Sequence, residues 1–86
     1  MKRSERPPLT DKQSRVLELA GMGMRDSQIA GALGLGLPTI EGHFHRIYCA
    51  LDIEPHANQR IRAIFKAHRL GLINLDDLRD LLPDRG

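Results

Sequence analysis

Apolar residues recur at helical spacing in four stretches of the chain, and glycine or proline separates one stretch from the next. Such spacing places them on one face of a helix, where they can pack into a core. Thr10 and Gln13 match a capping box and predict a first helix that ends near Gly21. The second stretch predicts a short helix that ends at Leu33, with Asp26 as its N-cap.

The last two stretches predict two longer helices. Pro38 suits the first turn of a helix over 37–51, because its missing N–H is not needed there. A fourth helix over 57–70 is stopped by Gly71. Leucines between 75 and 82 indicate a short fifth helix. Since no stretch has the alternation of a strand, the sequence predicts an all-α fold of four to five helices.

The fourth predicted helix carries two adjacent apolar stripes. One stripe consists of Ile61, Ile64, Phe65 and His68, and the other of Ala63, Ala67 and Leu70. One of them must face the core of the domain. The other is then available to a partner, and we expect the stripe that contains Phe65 to be the available one.

Length and composition restrict the class of protein. The 86 residues suit one domain, which we place at 9–73 between an N-terminal arm (1–8) and an acidic extension (74–86). No apolar run reaches the roughly 18 residues of a membrane span, and the N-terminus does not resemble a secretory signal. Cys49 is the single cysteine, so we expect a buried, inert thiol in a reducing, cytoplasmic environment.

The formal net charge is only +2, but it is unevenly distributed. The arm is basic, the extension is acidic, and the fourth predicted helix has four basic residues and no acid. Its basic residues are Arg60, Arg62, Lys66 and Arg69. They could contact a phosphate backbone, flank a dimer interface or form a solvated face. The arm could follow a DNA groove or serve as a solubility tail.

A short helix, a tight glycine turn and a longer helix are the plan of a helix-turn-helix unit. The major groove of DNA is about 12 Å wide and accepts one α-helix. The second helix of the unit must therefore be apolar on one side and polar on the other. The segment 37–51 meets this requirement. We therefore expect double-stranded DNA as the partner and a cytoplasmic protein that is associated with the nucleoid.

The order and spacing of motifs over residues 9–73 resemble the LuxR/GerE-type DNA-binding domain. These motifs are Leu9-Thr10, Val16-Leu17-x-Leu19, Gly23, Ile29-Ala30-x-x-Leu33-Gly34-Leu35, Thr39-Ile40-x-x-His43-x-x-x-Ile47-x-x-x-Leu51 and Leu70-Gly71-Leu72-Ile73. The resemblance implies a bacterial transcription regulator that reads DNA with 37–51. It also implies a homodimer that forms through the fourth helix.

The resemblance, together with the helix pattern, indicates which residues meet the partners. The expected DNA contacts are Thr39, Glu41, Gly42, His43, His45 and Arg46. Arg46 could reach a guanine edge, and Glu41 could accept from a cytosine amino group or repel phosphate. The expected dimer contacts are Ile61, Ile64, Phe65 and His68, with the core of the domain as the alternative for that stripe.

The chain departs from the family pattern on the predicted recognition helix. Gly36 stands where the family usually has a serine cap, and Glu41 and Ala50 stand near its usual lysines. Glu41, Gly42 and Ala50 weaken the recognition face and thus favour an alternative, a protein-interaction module on the same fold that binds RNA polymerase or another regulator. The sequence contains no catalytic constellation, metal-ligand cluster or nucleotide loop, so we expect neither an enzyme nor a cofactor.

Overall fold

The structure, a computed structural model, describes residues 8–55 and 57–75. These residues form four α-helices and no strand: α1 (Asp11–Gly21), α2 (Asp26–Leu33), α3 (Leu37–Ala50) and α4 (Gln59–Arg69). The all-α class and four of the expected helices are thereby confirmed. The arm, the acidic extension and the predicted fifth helix lie largely outside the described residues.

Side chains explain where α1 and α2 begin. Thr10 Oγ1 accepts a hydrogen bond from the Gln13 N–H at 3.1 Å, and Gln13 Oε1 accepts from the Thr10 N–H at 3.0 Å, so the predicted capping box is present. Arg25 is the N-cap of α2, and Gln28 Oε1 accepts from its N–H at 2.8 Å. The prediction that Asp26 caps α2 is wrong, because its carboxylate binds a side chain of α4 instead.

A turn of three residues joins α2 to α3. Gly34 has a φ of 68°, a left-handed conformation that glycine adopts without strain. The Leu35 N–H donates to the Ala30 carbonyl at 2.9 Å, which closes the end of α2. Pro38 lies in the first turn of α3, as predicted, and Gly36 is the N-cap without a side-chain hydrogen bond. The sharp turn keeps α2 packed against α3.

The core lies where α1, α3 and α4 meet, and α2 packs on α1 and α3. The fully buried side chains come from all four helices: Val16, Leu17, Ile29, Ile40, Ile47, Ala63 and Ala67. Ala63 and Ala67 settle which stripe of α4 faces inward. Leu70 does not join them, because α4 ends at Arg69 and the Leu70 side chain is 54% exposed.

Two basic side chains of α4 stabilise the domain from within. The Arg60 guanidinium donates to the Asp26 carboxylate at 2.7 Å, and it lies 4.1 Å from the centroid of the Phe44 ring. The Lys66 ammonium donates to the Leu51 carbonyl at 2.7 Å, at the C-terminal end of α3, where a positive charge is favourable. Both side chains already have a structural role and are less available to a partner.

Candidate nucleic-acid interface

The polar side of α3 points away from the core. Its buried side is formed by Ile40, Phe44 and Ile47. Four of the expected DNA contacts are exposed: Thr39, Glu41, His45 and Arg46. The helix therefore has the two-sided character that insertion in a groove requires.

Gly42 leaves a gap in the side-chain cover of this face. It is half-buried, and a Cβ added there would have no neighbour within 4 Å. No close packing therefore requires a glycine at this position. The gap gives an approaching molecule access to the backbone of α3 between Glu41 and His43.

His43 is the most constrained of the expected contacts. It is half-buried, and its Nδ1 is buried without a hydrogen-bond partner among the described residues. Burial lowers the pKa of His43, and the positive charges of Arg46 and Lys12 lower it further. The imidazole is therefore neutral at neutral pH, with one donor and one acceptor nitrogen.

Lys12 is a member of this surface that the sequence analysis missed. It is exposed in the first turn of α1, yet its charge acts on His43 of α3. No local motif marks such a residue, because its place depends on how α1 packs against α3. Lys12 and Arg46 together place basic groups of two helices close enough to His43 to act on its pKa.

Cys49 also lies on the outer side of α3. Its thiol is exposed, and Sγ is 3.9 Å from Nε2 of His45 one turn earlier. The prediction of a buried thiol is wrong. Its neighbour Tyr48 packs against the core, but each residue of a helix is rotated about 100° from the last, so sequence adjacency does not put Cys49 on the same face.

The expected dimer contacts lie on the outer side of α4. Ile61 is 55% exposed and Phe65 is 70% exposed, and His68 is exposed as well. Ile64 is half-buried and packs against the core, so it belongs only in part to this surface. The prediction that Leu70 belongs to the inner stripe is wrong, because it follows the end of α4 and its side chain is exposed. Ile61 and Phe65 lie one turn apart on α4, and we call them the apolar face of α4.

Metal-ligand groups and membrane-spanning helices were sought in the part of the chain that the structure describes. Residues 8–55 and 57–75 contain no group of three or more His, Cys, Asp or Glu side chains that could hold a metal ion. No described helix is both long and apolar enough to cross a bilayer.

Comparisons of the chain with protein-family models, with curated proteins and with solved structures found no match. The resemblance to the LuxR/GerE-type domain therefore stays a prediction from the sequence motifs. A functional assignment has to rest on the geometry of the described residues.

Proposed function

We propose that this protein is a transcriptional regulator that binds double-stranded DNA as a dimer. The observation that carries the proposal is the arrangement of α2, the turn 34–36 and α3. The apolar side of α3 is held in the core, while its polar side is open to solvent. Such a helix can enter a major groove without losing its contacts with the domain.

The side chains of α3 suggest how DNA would be held. Thr39 lies in the first turn, where its exposed hydroxyl can donate to a phosphate. Arg46 lies two turns further along and can reach a guanine edge or a phosphate. Lys12 extends the phosphate contacts to α1. Glu41 would disfavour phosphate and accept from a cytosine amino group.

Dimerisation through α4 would place two copies of α3 on one side of the duplex. The half-sites would then lie about one helical turn apart, roughly 34 Å, and their sequences would be related by two-fold symmetry. The apolar face of α4 supports this arrangement, because two large apolar side chains one turn apart are costly to leave in water.

The test is the salt dependence of binding to sheared genomic DNA, with fluorescence anisotropy as the measure of binding. We expect the logarithm of affinity to fall with the logarithm of salt concentration by about 0.9 for each phosphate contact. Arg46→Ala should weaken binding about tenfold or more. Arg15→Ala is the matched control, since Arg15 is exposed on α1 but pairs with Glu18 at 3.4 Å. The proposal fails if the folded protein does not bind at low salt.

A second candidate is a protein-interaction module that binds RNA polymerase or another regulator without reading DNA. The exposure of Phe65 favours it, and so does the acidic Glu41 on the polar side of α3. This function predicts complexes that form through α4 and depend little on salt. Retained binding to a partner by Arg46→Ala and lost binding by Phe65→Ala would favour the second candidate.

A further inference from the structure

A groove runs beside the apolar face of α4, between that helix and the segment that follows α3. Its volume is about 460 Å³, and it is lined by Asp52, Ile53, Glu54, Arg62, Phe65, Lys66 and Arg69. The left-handed backbone of Asp52, with a φ of 60°, turns the chain at the end of α3. The Phe65 side chain is therefore exposed and also forms part of the wall of the groove.

The two walls of the groove carry opposite charges. Asp52 and Glu54 are exposed on the loop, while Arg62 and Arg69 are exposed on α4, one turn to either side of Phe65. None of these four side chains forms an ion pair with another described residue. Lys66 differs from them, because it already binds the Leu51 carbonyl.

A surface that carries both an acidic and a basic wall fits a second copy of itself. In a two-fold interface each residue that contacts a partner residue is contacted by the same residue in return. The basic wall of one copy then faces the acidic wall of the other, twice. A partner of a single charge would instead be repelled by one of the walls.

We propose that the groove is the specificity element of a homodimer. Phe65 of each copy enters the groove of the other, and Arg62 and Arg69 of each copy pair with Asp52 and Glu54 of the other. The inference rests on the dimer of the proposed function. It goes beyond that dimer by assigning the four charged residues that select a second copy of this chain over another partner.

The experiment is a charge exchange in the full chain, without DNA. The acidic variant carries Arg62→Glu and Arg69→Glu, and the basic variant carries Asp52→Asn and Glu54→Lys. Asparagine is chosen because it tolerates the left-handed backbone at 52. We expect each variant alone to form homodimers at least about tenfold more weakly than the natural sequence, since like charges now face each other. An equal mixture should form a heterodimer, which native mass spectrometry separates from homodimers by mass.

A control variant with Arg15→Glu and Arg25→Glu changes the net charge as much as the acidic variant does, at exposed positions outside the groove. It should dimerise like the natural sequence, and circular dichroism should show all variants folded. The inference is overturned if the natural chain stays monomeric, if either variant dimerises normally, or if the mixture gives no heterodimer. This experiment contains no DNA, so its outcome does not depend on DNA binding. If the heterodimer forms but fails to bind DNA in the separate anisotropy experiment, only the proposed DNA-binding function is overturned.

Discussion

At the scale of the residue, the surroundings of His43, one of the proposed DNA contacts, restrict its protonation state. Its buried Nδ1 lacks a partner among the described residues, and its ring lies near two positive charges. A protonated ring at this place would be poorly solvated and would face Arg46 and Lys12. The folded protein therefore keeps His43 neutral, which limits it to hydrogen bonding rather than charge attraction with a phosphate.

The depressed pKa of His43 predicts a loss of stability in mild acid. The unfolded chain has the ordinary pKa, about 6.5, so it binds more protons than the folded chain as the pH falls through that value. The free energy of unfolding should thus reach its full value above about pH 7 and decrease as the pH falls below it. For the titration of one group the slope is at most about 1.4 kcal/mol per pH unit.

Urea denaturation of His43→Gln over the same pH range checks this prediction. The variant should lose the part of the pH dependence that His43 causes. The exposed His45→Gln, on the same helix, is the matched control and should keep it. An unchanged slope in His43→Gln would show that the ring is as easily protonated in the folded state as in the unfolded one.

At the scale of the element, α3 begins at a glycine N-cap, Gly36, which has no side chain to cap the helix. Gly36 has an ordinary extended backbone, and a Cβ added there would meet Pro38 Cδ at 3.6 Å, which is normal contact. Gly36→Ser should therefore stabilise the protein by about 0.5 kcal/mol, because the hydroxyl caps the helix and the unfolded chain loses freedom.

The same substitution two residues earlier should have the opposite sign. Gly34 has a φ of 68°, so Gly34→Ser would force a side chain into the left-handed region at a cost of about 1 kcal/mol. Denaturant midpoints of both variants give the comparison. A destabilised Gly36→Ser would mean that the α3 terminus does not accept a cap.

The number and order of the described helices could be predicted because their signals are local. The capping box of Thr10 and Gln13 and the stop at Gly34 each depend on a few neighbouring residues. The ends of α4 were predicted less accurately than those of the other helices, since the prediction was 57–70 and the helix is Gln59–Arg69. Asn58 is the N-cap, a residue type that is common at this position, and the sequence analysis did not use that signal.

The side-chain partners were harder to predict because they depend on contacts distant in sequence. Asp26 is a reasonable cap by type, but Arg60 competes for its carboxylate from 34 residues away. The sequence does not indicate that Lys66 binds the Leu51 carbonyl, because that contact depends on how α4 packs against the end of α3. The exposed positions of α3 followed from periodicity, whereas the contribution of Lys12 required the packing of α1 on α3.

At the scale of the whole molecule, the two sides of α4 differ: one packs in the core and the other is exposed. Its alanines pack closely in the core, and Arg60 and Lys66 hold α2 and α3 in place. Its outer side presents the apolar face and the groove. A change on the inner side should therefore act on the folded monomer, while a change on the outer side should act on association.

This division predicts how the melting temperature depends on protein concentration. If the native state is a dimer, dilution favours unfolding, and each tenfold dilution removes about 1.4 kcal/mol of association free energy per dimer. The melting temperature of the natural chain should fall on dilution. Phe65→Ala should abolish the concentration dependence and keep the low-concentration value, because a side chain that is 70% exposed contributes little to the monomer. Ile64→Ala, half-buried against the core, should lower the melting temperature at every concentration. A natural chain whose melting temperature is independent of concentration would contradict pairing through α4.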